Sequence, residues 1–197
     1  MTSNNPPAAA ETLAAAHEAL LAAQDPPVRA LAKKALLQSA VLDHSGGAFP
    51  FEGEAPTDIG IFRVLPTVAE IDWASDSGAL RLEPGQTYLD YHLPKSADIS
   101  NANADESYAG IAAFVQTRPE ITHLMGVTHR IMALSAQRNQ GFSTEPVQLP
   151  EPVMAYAAAF WQRMMPEANP RHFKTAHLVW HTRASLIERF APSNPGS

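Results

Sequence analysis

The chain has 197 residues and a formal net charge of −6, a length at which one hydrophobic core can stabilise a single domain. It contains no cysteine, which excludes disulfide frameworks, thiolate metal sites and cysteine nucleophiles. Fifteen acidic and six basic residues precede Thr117, whereas five acidic and eight basic residues follow it. Eight dispersed bases form no basic stripe, which argues against nucleic acid as a partner, but they are compatible with a small anionic molecule.

No basic head followed by an apolar run opens the chain, and no apolar stretch reaches the roughly 20 residues that cross a membrane. We therefore expect a cytoplasmic protein without a membrane partner, and we leave a homo-oligomer open. The predicted organisation is a disordered tail at residues 1–9, a helical hairpin at 10–45, an α+β domain at 46–192 and a second disordered tail at 193–197.

The helical hairpin is predicted from an alanine-rich segment at 10–24, followed by Asp25 as a cap for a second helix. Helical spacing places Lys33, Lys34 and Gln38 of the second helix toward water. The same spacing predicts an apolar face, formed by Val28, Leu31, Ala32, Ala35 and Leu36.

A loop rich in glycine, proline and acidic residues follows at 46–60. Residues 61–68 are then expected to form a short edge strand, because Pro66 has no N–H to donate to a neighbouring strand. Residues 79–82 and 87–93 are predicted as two strands around a type II turn that has proline and glycine at 84 and 85.

In the second half, the spacing of Tyr108, Ile111 and Val115 predicts a helix that ends at Arg118 and Pro119. We then expect a strand at 121–127, a helix at 128–139 and an extended segment at 142–149. A helix at 153–164, a strand at 175–181 and a short last helix at 182–190 are expected to follow. Strands and helices are mixed rather than strictly alternating. This predicts an α+β fold with a mixed sheet of about four to six short strands, preceded by the helical hairpin.

Four short motifs occur in a characteristic order along the chain. They are Pro84 to Leu93, Leu124 to Thr128, Gln140 to Phe142 and Val179 to Arg183. In this order they resemble the YkoP-like family of bacterial proteins, over about residues 60–190. The resemblance directs attention to His92, Thr128 and Arg183, and it implies no activity and no cofactor. Thr182 stands where the family tends to have serine.

Asp90 and His92 are candidate catalytic residues. Tyr88, Asp90 and His92 alternate along a predicted strand and so project from one face. The carboxylate can orient the imidazole, which would then act as a general acid or base. The alternative is a half-exposed strand face with two solvated polar side chains.

Gly126, Thr128 and Arg130 are candidate ligand-binding residues. They lie where a predicted strand meets a predicted helix, with Thr128 as the helix cap. The free N–H groups of a helix start attract carboxylate or phosphate, and Arg130 would add a positive charge. The alternative is an ordinary threonine cap beside a surface arginine.

Thr182 and Arg183 complete the predicted ligand-binding set. An arginine in the first turn of a helix conflicts with the helix dipole, which suggests a bound ligand or a buried partner. A salt bridge to Glu188 or to another surface acid is the alternative. His177 and His181 have the spacing of a helical metal pair, but they lie in a predicted strand, where about 13 Å separates them, so no metal site is predicted.

Three functions are compatible with these residues. The first is a pocket for a small carboxylate or phosphate with histidine-based acid–base chemistry, which requires the candidate residues to converge on one surface. The second is an acyl-coenzyme A acyltransferase resembling the GNAT superfamily, with its pyrophosphate at the strand that ends at Val127. The third is a non-catalytic interaction protein that uses the hairpin and the acidic first half.

Overall fold

A computed structural model describes residues 9–43, 55–93 and 100–191, and its side chains at 13–36, 55–93, 100 and 102–191. The helices are α1 Ala9–Ala22, α2 Pro26–Asp43, α3 Asn101–Gln116, α4 Arg130–Ser135, α5 Glu151–Met164 and α6 Arg183–Phe190. The strands are β1 Thr57–Ile59, β2 Phe62–Val68, β3 Trp73–Ala74, β4 Arg81–Leu82, β5 Thr87–His92, β6 Ile121–His129, β7 Ser143–Val147 and β8 Ala176–Thr182. The predicted tails at 1–9 and 193–197 lie outside these ranges, except that Ala9 already belongs to α1.

Six strands form one mixed sheet in the order β1-β2-β5-β6-β8-β7, and β3 pairs with β4 in a separate ribbon. Strands β5 and β6 run parallel, and α3 connects them. Every other neighbouring pair in the large sheet is antiparallel. With α1 and α2 preceding the sheet, this architecture confirms the predicted α+β class with a mixed sheet and an N-terminal helical hairpin.

One face of the sheet packs against α1, α2 and α5. Side chains of the three central strands join those of the helices in one apolar cluster, which includes Leu31, Tyr88, Met125, Phe160 and Trp180. The buried positions of α2 include Leu31, Ala32, Ala35 and Leu36, four of the five residues of the apolar face predicted for this helix.

The other face of the sheet packs against α3 and α6. Leu89, Leu124 and Val179, which alternate with the residues of the first cluster, meet Ile111 and Leu186 in a second apolar cluster. A side chain on β5, β6 or β8 therefore belongs to one layer or the other according to its parity along the strand.

The prediction of an edge strand around Pro66 is wrong. Strand β2 lies between β1 and β5, and Pro66 pairs with Leu89 on β5. Strand β1, however, pairs only with residues 62–64 of β2. Pro66 lies beyond the residues of β2 that pair with β1. No strand faces Pro66 on that side, so its missing N–H leaves no hydrogen bond to β1 unmade.

The predicted type II turn is present, but the strands on its two sides do not pair with each other. The N–H of Gln86 donates to the carbonyl of Glu83, and Gly85 between them has φ = 88°, which requires glycine. Strand β4 pairs with β3, whereas β5 enters the large sheet between β2 and β6. The proline and glycine of the turn thus predicted the chain reversal, but they did not predict that β4 and β5 pair with other strands.

No helix in the described ranges is both long and apolar enough to span a bilayer.

Candidate functional site

Asp90 and His92 lie on the central strand β5 and share a face with Tyr88, as predicted. All three side chains are buried, and Asp90 is fully excluded from solvent. The alternative of a half-exposed strand face with solvated polar groups is therefore wrong. A carboxylate and an imidazole that are both removed from water require compensating partners.

The partner of Asp90 is Lys34 of α2, which the sequence placed in solvent. Nζ of Lys34 lies 2.8 Å from Oδ2 of Asp90, and the Lys34 side chain is only 2% exposed. The ammonium also lies 4.4 Å from the centroid of the Tyr88 ring, a cation–π distance. The prediction for Lys34 is wrong because α2 packs over β5 and β6, which brings this flank of the helix onto the sheet.

Lys33 and Lys34 differ although they are adjacent. Lys33 remains at the surface and forms an ion pair with Glu70, in which the side chains are 44% and 70% exposed. One signal was available in the sequence, because Lys34 follows the buried Leu31 by three positions and so borders the apolar face of the helix. The predicted exposure of Gln38 falls outside the described side chains.

His92 lies on the other side of the carboxylate, with Nε2 at 3.5 Å from Oδ1 of Asp90. Nζ of Lys34, both carboxylate oxygens and Nε2 of His92 are buried, and apart from the ion pair none has a hydrogen-bond partner among the described residues. We call Lys34, Asp90 and His92 the buried triad. It is an ion pair with an adjoining imidazole, and the 2.8 Å contact of Lys34 with Asp90 is its chief polar interaction.

Burial governs the protonation of the buried triad. It lowers the pKa of Lys34, and the charge and hydrogen bonding of Asp90 oppose that shift. It also lowers the pKa of His92, where the attraction of Asp90 is offset further by repulsion from Lys34 and Arg63. The imidazole of His92 is therefore neutral at neutral pH, beside the ion pair.

A recess of about 40 Å³ lies between α2 and the chain that follows β2. Lys34 and Tyr88 line its inner side, Lys33 and Glu70 lie at its rim, and Trp73 contributes an apolar wall. Asp90 and His92 are not part of the lining. Of the buried triad, Lys34 is thus the member that borders this space.

Gly126 and Thr128 point to the opposite face of the sheet. A Cβ added to Gly126 would lie 2.9 Å from the ring of Tyr91, so the glycine serves the close approach of that ring. The prediction that Thr128 caps a helix is wrong, since Thr128 belongs to β6. The cap of α4 is His129, which makes no side-chain capping hydrogen bond.

Arg130 is exposed in the first turn of α4. Thr182 caps α6, and its side chain accepts a hydrogen bond from the N–H of Ser185. Nε and Nη2 of Arg183 donate to the carbonyls of Val115 and Gln116. Arg183 therefore stabilises the end of α3, and it does so instead of binding Glu188.

The structure thus brings together Asp90 and His92 but not the whole predicted set. Gly126 and Thr128 lie in the second layer, and Arg183 binds the end of α3. One hollow that contains all of the predicted residues does not form, because neighbouring residues of a strand point to opposite faces.

His177 and His181 lie on β8, as predicted, and not on a helix. Nε2 of His181 contacts the carbonyl of Gln140 at 3.0 Å, so this nitrogen carries the proton and donates it. Nδ1 then accepts from Oγ of Ser185 at 3.0 Å. Among the described residues, no group of three or more His, Asp or Glu side chains is arranged to hold a metal ion.

Comparison with protein-family models, with curated proteins and with solved structures gave no match. The resemblance to the YkoP-like family stays a prediction.

Proposed function

We propose that this protein binds a small carboxylate-bearing molecule in the recess beside Lys34, and that the buried triad gives the site acid–base chemistry. The observation that carries the proposal is that the recess borders the buried ammonium of Lys34, whose ion pair with Asp90 adjoins the buried imidazole of His92. Polar groups in that condition concentrate at functional sites.

The lining of the recess supports a ligand with one anionic end and a short apolar body. Val68, Ile71 and Trp73 provide apolar contacts. At the rim, the exposed Lys33–Glu70 ion pair contributes little stability, so a ligand carboxylate can replace Glu70 on Lys33 at small cost.

Lys34 is the group through which the buried triad would act on the bound molecule. Burial lowers the pKa of its ammonium, which favours release of a proton to a neighbouring group. Asp90, at 2.8 Å, is the acceptor for a proton that leaves Nζ. His92 does not border the recess, so it serves to position and polarise Asp90.

Calorimetric titration with acetate, propionate, butyrate and hexanoate tests the proposal. Affinity should rise with chain length until the recess is filled, and Lys33→Met should weaken binding by about tenfold through the loss of one charge-assisted contact. Lys174→Met, which removes an exposed lysine from another surface, is the matched control. Equal affinities of the wild type and Lys33→Met, or no heat with any of the acids, would refute the proposal.

An acyl-coenzyme A acyltransferase is the second candidate. The parallel pair β5 and β6 favours it, because ligands of sheets with parallel strands bind outside the carboxyl ends of those strands. Acetyl-coenzyme A should then raise the melting temperature by more than free acetate does at the same concentration. An unchanged melting temperature with acetyl-coenzyme A would eliminate this candidate.

We further propose a cytoplasmic location and membership of the YkoP-like family. The family membership rests on the order of the four motifs along the chain.

A further inference from the structure

Lys34 has the surroundings of a lysine that reacts with carbonyl compounds. Its side chain lines the inner side of the recess, and its buried Nζ lies 4.4 Å from the centroid of the Tyr88 ring. Burial lowers the pKa of Lys34, which favours the neutral amine that attacks a carbonyl carbon. Desolvation in an apolar pocket is one way in which proteins activate a lysine as a nucleophile.

Asp90 supplies the proton transfers that such a reaction needs. Its Oδ2 lies 2.8 Å from Nζ of Lys34, so it accepts the proton that the ammonium loses before the amine attacks. The same carboxyl group returns the proton when the oxygen of the carbonyl leaves as water. A nucleophile and its base are thus already in contact in the structure.

The charge of the buried ion pair selects the kind of adduct. A protonated imine carries one positive charge, as the ammonium does, so Asp90 keeps its counter-charge and the cation stays beside the ring of Tyr88. Acylation of Lys34 would instead give a neutral amide and leave Asp90 buried without a partner charge, at a large cost in stability. The surroundings of Lys34 therefore favour an imine over an acyl adduct.

The two adjacent lysines of α2 differ in a way that suits a ligand with two functional groups. Lys33 is at the rim, where its side chain is 44% exposed and pairs with Glu70, so water stabilises its charged form and it is available to a carboxylate. Lys34 is inside, where it is shielded from bulk water. A molecule with a carboxylate at one end and a carbonyl on its body meets a matching group at each level.

We propose that Lys34 forms an imine with an oxo acid that binds in the recess, and this inference rests on the proposed function because the same ligand supplies the carboxylate. The amine adds to the carbonyl carbon, and the carbonyl oxygen takes up a proton. Loss of that oxygen as water then gives a protonated imine. One ammonium and one carbonyl compound yield one iminium ion and one water, so no oxidant or reductant is consumed.

Reductive trapping tests for the imine directly. The full chain is incubated at neutral pH with sodium cyanoborohydride and with pyruvate, acetoacetate or levulinate, in which the carbonyl lies progressively farther from the carboxylate. Propionate, which has no ketone, is the control. Mass spectrometry should show an adduct with the mass of the oxo acid less one oxygen atom, and peptide mapping should place it on Lys34.

Exposed lysines of the same molecule are internal controls. Lys33 and Lys174 are both exposed, and they should remain unmodified when Lys34 has reacted. The acid that reacts fastest shows how far from the carboxylate the carbonyl must lie. Absence of an adduct with all three oxo acids, or modification of Lys33 and Lys174 ahead of Lys34, would overturn the proposal.

Variants separate the reaction at Lys34 from binding at the rim. Lys34→Arg keeps a cation for Asp90 but has no amine that forms an imine, so it should abolish the adduct. Lys33→Met should keep the adduct on Lys34 and raise the oxo acid concentration for half-maximal trapping by about tenfold. Lys174→Met should behave like the wild type. Peptide mapping of the wild type gives the same answer if Lys34→Arg does not fold.

The calorimetric titration with saturated acids distinguishes failure of the imine from failure of the proposed function. Heat with butyrate but no adduct with any oxo acid would retain the carboxylate site and refute the imine. Neither heat nor adduct would refute both. An adduct on Lys34 that propionate slows by competition supports both the site and its chemistry.

Discussion

Asp90 carries a carboxylate in the centre of the sheet, where its solvation is replaced chiefly by one ammonium. The 2.8 Å contact with Lys34 offsets the cost of burying each charge only while both are present. The same contact attaches α2 to β5, two elements that are far apart in the chain. This side-chain pair thus joins the helical hairpin to the sheet, in addition to their apolar packing.

Truncating one partner of this pair should be costly. Lys34→Met is expected to lower the free energy of unfolding by about 3 kcal/mol, because it leaves Asp90 buried without a counter-charge. Urea denaturation measures the change, and Lys33→Met, at the exposed pair, should stay within about 0.5 kcal/mol of the wild type.

The double variant Lys34→Met with Asp90→Asn should recover part of the loss, since no unpaired charge then remains in the core. Strict additivity of the two single changes would contradict the coupling of Lys34 and Asp90.

The role of Gly126 differs from the one that its sequence motif suggests. The sequence pattern pointed to an anion-binding strand end, whereas the structure shows the ring of Tyr91 packed where a side chain would begin. Gly126→Ala should therefore destabilise the protein by about 1–3 kcal/mol through overpacking. Thermal denaturation measures it, and an unchanged melting temperature would show that Tyr91 moves aside freely.

At the scale of elements, Arg183 resolves a local conflict by a long-range contact. It stands at the positive end of the α6 dipole, but its guanidinium reaches the last carbonyls of α3, at the negative end of that helix. The start of α6 is thereby joined to the end of α3. The positive charge that is unfavourable at the start of α6 is favourable at the end of α3.

Removal of this cap should loosen the end of α3. Arg183→Met is expected to accelerate amide hydrogen exchange in the last turn of α3 and to cost about 1 kcal/mol of stability. Arg138→Met, which removes an exposed arginine outside α3 and α6, serves as the comparison. Exchange rates at the end of α3 that match the wild type would argue against capping by Arg183.

At the scale of the whole molecule, buried neutral histidines link folding to pH. Burial lowers the pKa values of His92, His129 and His181 in the folded protein. In the unfolded chain a histidine titrates near 6.5. Between the two pKa values the unfolded state binds more protons, so stability falls as pH decreases.

For His129 the window runs from about pH 6.5 down to about pH 4, where its folded-state pKa lies. The contribution is fully present above this window, and the loss across it is on the order of 3 kcal/mol. Urea denaturation at several pH values in phosphate-free buffer measures the dependence. His129→Gln should flatten it, and an equally steep dependence in that variant would place the linkage on other groups.

The sequence by itself determined the local structure and much of the layering. Helical spacing identified the buried side of α2 and α3, and the proline–glycine turn was predicted because the positive φ of Gly85 is a local requirement. Alternation along β5 also placed Asp90 and His92 on one face. These features depend on residues within one turn or one strand of each other.

Only the tertiary structure decided which elements meet. It placed Lys34 over Asp90, separated Gly126 and Thr128 from His92, directed Arg183 to the end of α3, and brought His129 next to Trp161. Each of these contacts joins residues from different elements, and strand order and helix docking are set by the packing of the whole core. The periodicity of the sequence does not specify that packing, so the chemistry of the candidate site follows from the fold.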